Sequence, residues 1–232
     1  MAKLKHPLDD IVYEKQKTAE KIHEFVTVDW ENVLPAPPSN SSQETQTDLN
    51  SVYEIAKCRE IHKWEAIIKQ VDTKTWSVFD DALKSRLSVS ERKDLEKMVS
   101  KAWPIVWGVT LSLKRKFNRA RPEQLRSDIN VMTTKTHQTP AYPSGHASYG
   151  YISAKIVSLV HPSLKDIAEK TAQLVAFARV VQGVHYLSDG DASKFLVDVL
   201  WEDIGFKLFP EHYKPSTWLE RDWRKNEKKI KN

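Results

Sequence analysis

Apolar residues recur along most of this chain at intervals of three and four, the spacing that gathers them on one side of an α-helix. Strand-like alternation is scarce, and only six of the 232 residues are glycine. Leu49, Val52, Tyr53, Ala56, Ile61, Trp64, Ile67 and Ile68 form one such stripe. A second helix is expected to open at Ser90, a plausible N-cap, and to carry Leu95, Met98, Val99, Ala102, Val106, Leu113 and Phe117, with Pro104 kinking or dividing it. Further helices are expected from His146 to about Val160, from Leu164 to about Gln182, and from Asp189 to about Leu208. The fold class is therefore all-α, a compact multi-helix bundle.

A chain of this length is expected to form one domain spanning 1–232. Residues 1–48 read as an N-terminal helix (a loose helical pattern over 8–26) followed by a Pro/Ser-rich loop. Residues 49–210 read as the helical core and 211–232 as a basic tail. Leu34–Asp48 (LPAPPSNSSQETQTD) is expected to be extended over the surface. The longest apolar run without a charge, Ala102–Leu113, has twelve residues, too few to span a bilayer, so no membrane association is expected. The opening residues MAKLKHPLDD lack an apolar leader core, which points to a cytoplasmic protein, or a periplasmic one if a leader has been removed. Cys58 is the only cysteine, so no intrachain disulfide is expected. Trp64, Trp103, Trp107 and Trp201 fall in helical apolar patterns and read as core packing.

Three short stretches carry the chemistry. In KRKFNRARP, Lys114 and Arg121 are seven residues apart, two helical turns, so both are expected on one helix face with Arg121 at the end before Pro122. Such a pair suits a phosphate dianion, although with Arg115, Lys116 and Arg119 it also reads as a solvated basic face. In PSGH, Gly145 allows close backbone approach, Ser144 offers a hydroxyl, and the amides at a helix start form an anion site beside His146, a potential proton donor. The bland alternative is a capped helix start with an incidental histidine. In RVVQGVHYLSD, Gly183 breaks the helix between Arg179 and His185 so that both can converge. His185 and Asp189 are one helical turn apart, so the carboxylate can hold one ring nitrogen and leave the other as a nucleophile. A surface His–Asp pair is the alternative. Each stretch is weak alone, but together they supply cations, two imidazoles and a carboxylate, the inventory for phosphoryl transfer to histidine and then to water.

K-x6-RP, PSGH and R-x5-H-x3-D resemble the three motifs of the type 2 phosphatidic acid phosphatase superfamily, which includes lipid phosphate phosphatases, bacterial class A acid phosphatases and vanadium-dependent haloperoxidases. The third motif departs in having Ala178 where the family usually has Ser. Together with VLPAPP (Val33–Pro38), the likeness is closest to soluble class A non-specific acid phosphatases. The resemblance implies His185 as nucleophile, Asp189 as its orienter, and His146 as proton donor and later base. Lys114, Arg121, Arg179, Ser144 and Gly145 would hold the phosphoryl oxygens. It implies no metal; vanadate would enter as an inhibitor, or as cofactor if the chain were a haloperoxidase. The expected partner is a small-molecule phosphate ester, nucleotides included. Neither nucleic acid nor membrane is expected, and a homo-oligomer stays open. The competing readings are a vanadate-dependent haloperoxidase and a non-catalytic anion or nucleic-acid binder drawing on the basic cluster at 114–121.

Overall fold

The computed structural model describes residue 22, residues 26–132, 134, 136 and 138–213. Most of the helical pattern at 8–26 and of the basic tail lies outside the described residues. Within them the chain is helical, with no strand. In order come α1 (Gln43–Cys58), α2 (Ile61–Lys74), α3 (Trp76–Leu83), α4 (Val89–Phe117), a short α5 (Pro122–Leu125), α6 (Gly145–Val160), a 3₁₀ turn (Pro162–Leu164), α7 (Lys165–Val181) and α8 (Leu187–Leu208). Among the described residues no helix is long and apolar enough to cross a membrane.

α6 is the central element and packs against α7, α4 and α8. Small side chains make this close packing possible: a Cβ on Gly150 would come 3.3 Å from Ala172 Cα and 3.3 Å from Val175 Cβ. The buried serines of α6 satisfy themselves on the preceding turn, Ser148 Oγ donating to Ser144 O (3.0 Å) and Ser153 Oγ to Tyr149 O (2.8 Å). Around α6 the core gathers Val106, Val109 and Leu113 of α4, Ala172 and Val175 of α7, and Leu196, Val197 and Leu200 of α8, all buried. A smaller cluster joins Leu49, Val52 and Ala56 of α1 to Ile129, Ala141, Val180 and Tyr186.

Several sequence expectations need correcting. The stripe from Leu49 to Ile68 is two helices, not one. Arg59 is extended, its Nη1 donating to Val181 O (3.0 Å) and its Nη2 to Asn130 O, so tertiary bonds hold the break open. The Pro/Ser-rich segment is irregular only to Ser42. Residues 43–48, assigned to that loop, are the first turns of α1, capped by Ser42 Oγ accepting from Thr45 N (3.2 Å). The polar composition of QETQTD concealed an apolar face begun by Thr45 and continued by Leu49, Val52 and Ala56. α3 went unrecognised. Pro104 does not divide α4: its ring is on the exposed side, and buried Ala102, Ile105, Val106 and Val109 hold both halves in line.

The N-cap of α4 is Ser88, not Ser90. Ser88 Oγ accepts from Glu91 N (3.3 Å), and the Glu91 carboxylate accepts from Ser88 N (2.8 Å), a complete capping box. Ser88→Ala is expected to cost about 1 kcal/mol in urea unfolding and Ser90→Ala close to nothing; equal costs would disprove the assignment.

Candidate active site

The first motif is not one helical face. α4 ends at Phe117, because Asn118 takes the left-handed conformation (φ 45°, ψ 41°) and its amide closes on Lys114 O (2.9 Å). Arg121 is extended, as a residue before proline prefers, and serves as N-cap of α5. Lys114 and Arg121 nonetheless meet, because the chain folds back after the break, and both line a cavity of about 540 Å³ with Gly145, His146 and His185. Lys114 Nζ, buried, donates to Pro140 O and to Ala141 O (3.2 Å). Arg121 Nε donates to Thr139 O (2.8 Å) and Nη1 to Val184 O (2.6 Å).

The histidine–carboxylate pair forms across a helix start rather than within a helix. α7 ends at Val181, and Gly183 turns the chain at φ +88°, where a side chain would be strained. His185 thus lies just outside α8, and Asp189 is in its first turn. His185 Nδ1 lies 2.8 Å from Asp189 Oδ2, which also accepts from Tyr186 N (3.0 Å). The pairing keeps the ring proton on Nδ1, which donates to the carboxylate, and leaves Nε2 a lone pair, 3.2 Å from Arg121 Nη1. Burial, then Arg121 and Lys114, push the His185 pKa well below the ordinary 6.5, so the ring is neutral. His146 is also pushed well down, by burial first and then by Arg179 and His185. Burial and the Arg179 charge lower Arg121 to about 10. The hollow is thus a place where positive charges repel one another, a field that an entering anion relieves.

Three sequence-selected residues are not in the cavity lining. Asp189 is behind His185, where burial raises its pKa against the pull of Arg119 and the Tyr186 amide. Ser144 is buried at the N-cap of α6, its Oγ accepting from Ala147 N (3.4 Å) and its carbonyl from Ser193 Oγ (2.8 Å). Arg179 is fully buried, its Nη1 donating to Asp72 Oδ1 (2.8 Å) and Gln182 Oε1 (2.6 Å), its Nη2 to Thr136 Oγ1 (3.2 Å). Burial acts to raise the Asp72 pKa, but bonds from Thr134, Thr136 and Arg179 prevail and bring it down to about 2.

The sequence reading missed Arg119, Asp72, Trp103 and Trp107 as parts of the site. Arg119 was grouped with a solvated face, yet it is buried, with Nη1 donating to Asp189 Oδ1 (2.8 Å) and Ser188 Oγ (2.8 Å), and Nη2 to Asp48 Oδ2 (2.9 Å). Its guanidinium lies 3.9 Å from the Tyr186 ring centre. Trp103 and Trp107, read as core packing, line the cavity with Asp72 and Tyr149. Trp201 is buried as expected, and Trp64 is half-buried with its ring edge-on to Phe177. The basic cluster at 114–121 is no continuous surface stripe, since Lys114, Arg119 and Arg121 are buried and only Arg115 and Lys116 face outward. Among the described residues, no three His, Cys, Asp or Glu side chains are grouped to hold a metal ion.

Residues 101–196 match the PAP2 superfamily model, a span that contains all three motifs. The chain is 26% identical over 172 residues to the non-specific acid phosphatase of Providencia stuartii, covering 71% of this chain and 69% of that protein. It is 20% identical over 197 residues to the non-specific acid phosphatase of Salmonella typhimurium, covering 80% and 79%. In fold it is similar to the crystal structure of a bacterial vanadium-dependent iodoperoxidase (TM-score 0.51, 17% identity), over 77% of this chain and 57% of that one. Residues 101–196 are a PAP2 superfamily domain, and the chain is a homologue of proteins named non-specific acid phosphatase.

Proposed function

We propose that the protein is a metal-independent phosphomonoesterase acting on small organic phosphates through a phosphohistidine. The observation that carries this reading is His185, its Nδ1 tied to Asp189 and its Nε2 beside Arg121 in a cavity shared with Lys114 and His146. The ester phosphate sits against Lys114, Arg121 and the first amides of α6, with Arg179 and Ser144 supporting that cradle from behind. His185 Nε2 attacks phosphorus in line, forming the N–P bond as the P–O bond to the alcohol breaks. A proton passes to the departing oxygen from His146 or from the phosphate beside it. Water then attacks the phosphohistidine, His146 takes its proton, and inorganic phosphate leaves with the His185 lone pair restored. Asp189 keeps the ring in one tautomer throughout and balances the positive charge on the phosphorylated imidazole.

Hydrolysis of p-nitrophenyl phosphate, undiminished by EDTA, tests the reading; absence of hydrolysis rejects it. Orthovanadate is expected to compete for the same cradle. Bromide oxidation with added vanadate, without ester hydrolysis, would favour the peroxidase reading instead.

The pH profile follows from the direction of the two imidazole shifts. His185 stays neutral below pH 6.5, so the nucleophile survives into acid. His146 is likewise unprotonated in the free cavity near neutrality, so the one proton the reaction needs arrives on the ester, whose second ionisation lies at about 6. Log kcat/KM is therefore expected to hold through mildly acidic pH and to fall as pH rises above about 6. A profile rising steadily from about pH 5 to 8 would contradict this placement of the proton.

A further inference from the structure

The cavity has a second half that holding a phosphate does not explain. α4 presents Trp103, Trp107 and Lys114 at intervals of four and seven, one face of the helix, and all three line the cavity. Lys114 marks the phosphate end, and Trp107 is two turns back, about 10 Å along the axis. The Trp107 ring presses on the start of α6: a Cβ on Gly145 would lie 2.7 Å from Trp107 Cζ3. Tyr149, one turn beyond His146, meets Trp103 edge-on at 5.0 Å and 72°, and Trp103 lies 5.5 Å from Trp107, tilted by 31°. The three rings therefore form a wall continuous with His146.

The chemistry above gives that wall a direction. In an in-line displacement the leaving oxygen departs opposite His185; the proposed reaction carries that oxygen past His146, so whatever it bears extends along Trp107, Trp103 and Tyr149, which line the same cavity. Flat rings offset or edge-on to other rings are favoured over saturated chains of similar size. We propose that the leaving-group half of the cavity selects phosphomonoesters whose alcohol bears an aromatic ring within a few bonds of the ester oxygen. This inference rests on the phosphatase reading for the placement of the leaving group. It adds Trp103, Trp107 and Tyr149 as specificity-determining residues.

The test compares kcat/KM for 2-phenylethyl phosphate, 2-cyclohexylethyl phosphate and ethyl phosphate, which all release primary alkoxides and so differ little in intrinsic reactivity. The phenylethyl ester is expected to exceed the ethyl ester by about tenfold or more, chiefly through KM, and to exceed the cyclohexyl ester by about threefold. Trp103→Leu is expected to bring the phenylethyl-to-ethyl ratio down about fivefold or more. Trp103 is the better choice because Trp107 also supports the turn that carries His146. Equal constants for phenylethyl and ethyl esters in the unaltered enzyme overturn the proposal, whether or not the variant folds, and so does an unchanged ratio in a folded Trp103→Leu enzyme. Calorimetric binding of the matching phosphonates reads the same preference without turnover. If no ester is hydrolysed, the phosphatase reading fails, and the phosphonate ranking still decides this one.

Discussion

His185→Ala is expected to lower turnover of p-nitrophenyl phosphate on the order of 10⁴-fold or more, because among the described residues His185 is the imidazole tied to a carboxylate through Nδ1 with its Nε2 beside Arg121. Phosphate binding should remain measurable by calorimetry, since Lys114, Arg121 and the amides at Gly145 are untouched. The fold should also hold, because Asp189 keeps its ion pair to Arg119 and its bond from the Tyr186 amide. In the unaltered enzyme, rapid quenching with ³²P-labelled ester should trap a phosphoenzyme that is stable to base and labile to acid. Near-normal turnover in the variant, or label that survives acid as a serine ester would, defeats the nucleophile assignment.

Arg119→Ala is expected to be the most destabilising single change at the site. Asp189 is completely buried, and Arg119 is the cation that accompanies it; removing one partner of such a pair costs about 3–5 kcal/mol. Asp48 and Ser188 lose the same guanidinium, and the Tyr186 ring loses the cation over its face. For a chain of this size the loss corresponds to a fall in Tm of about 10 °C. Arg119→Lys should recover only part of it, since one ammonium cannot reproduce the planar fork that reaches Asp48 and Asp189 together. A Tm within about 2 °C of the unaltered protein in Arg119→Ala would mean that Asp189 is neutral or otherwise compensated. Surviving Arg119→Ala enzyme should lose kcat more than KM, because Arg119 positions the carboxylate behind His185 and does not meet the ester.

The helix content, the core faces of α4, α6, α7 and α8, and the His185–Asp189 contact were legible along the chain because each depends on neighbours within a few turns. Periodicity of 3.6 marks a buried face wherever the helix packs, and an imidazole four residues from a carboxylate meets it across a helix start almost as readily as within a helix. Gly183 was readable for a similar reason, since the turn there needs positive φ. Helix limits were less legible. Ser88 and Ser90 both look like caps in one dimension, and only Ser88 has Glu91 three residues on, completing the box. The Asn118 break was hidden because Asn tolerates both a helix and its left-handed end.

What the linear order of residues decided, then, was which groups exist for the chemistry and how each motif bends locally. Their meeting was decided by packing over long separations: Arg119 reaches Asp189 across 70 residues, and Arg179 reaches Asp72 across 107. A cation reads as solvated or buried only once it is known what covers it, and for Arg119 and Arg179 the cover is supplied by helices remote in sequence. The same holds for the aromatic wall. Trp103 and Trp107 carry the spacing of core residues, and they face a cavity only because α6 brings Gly145 against one ring and Tyr149 against the other, leaving space beyond them.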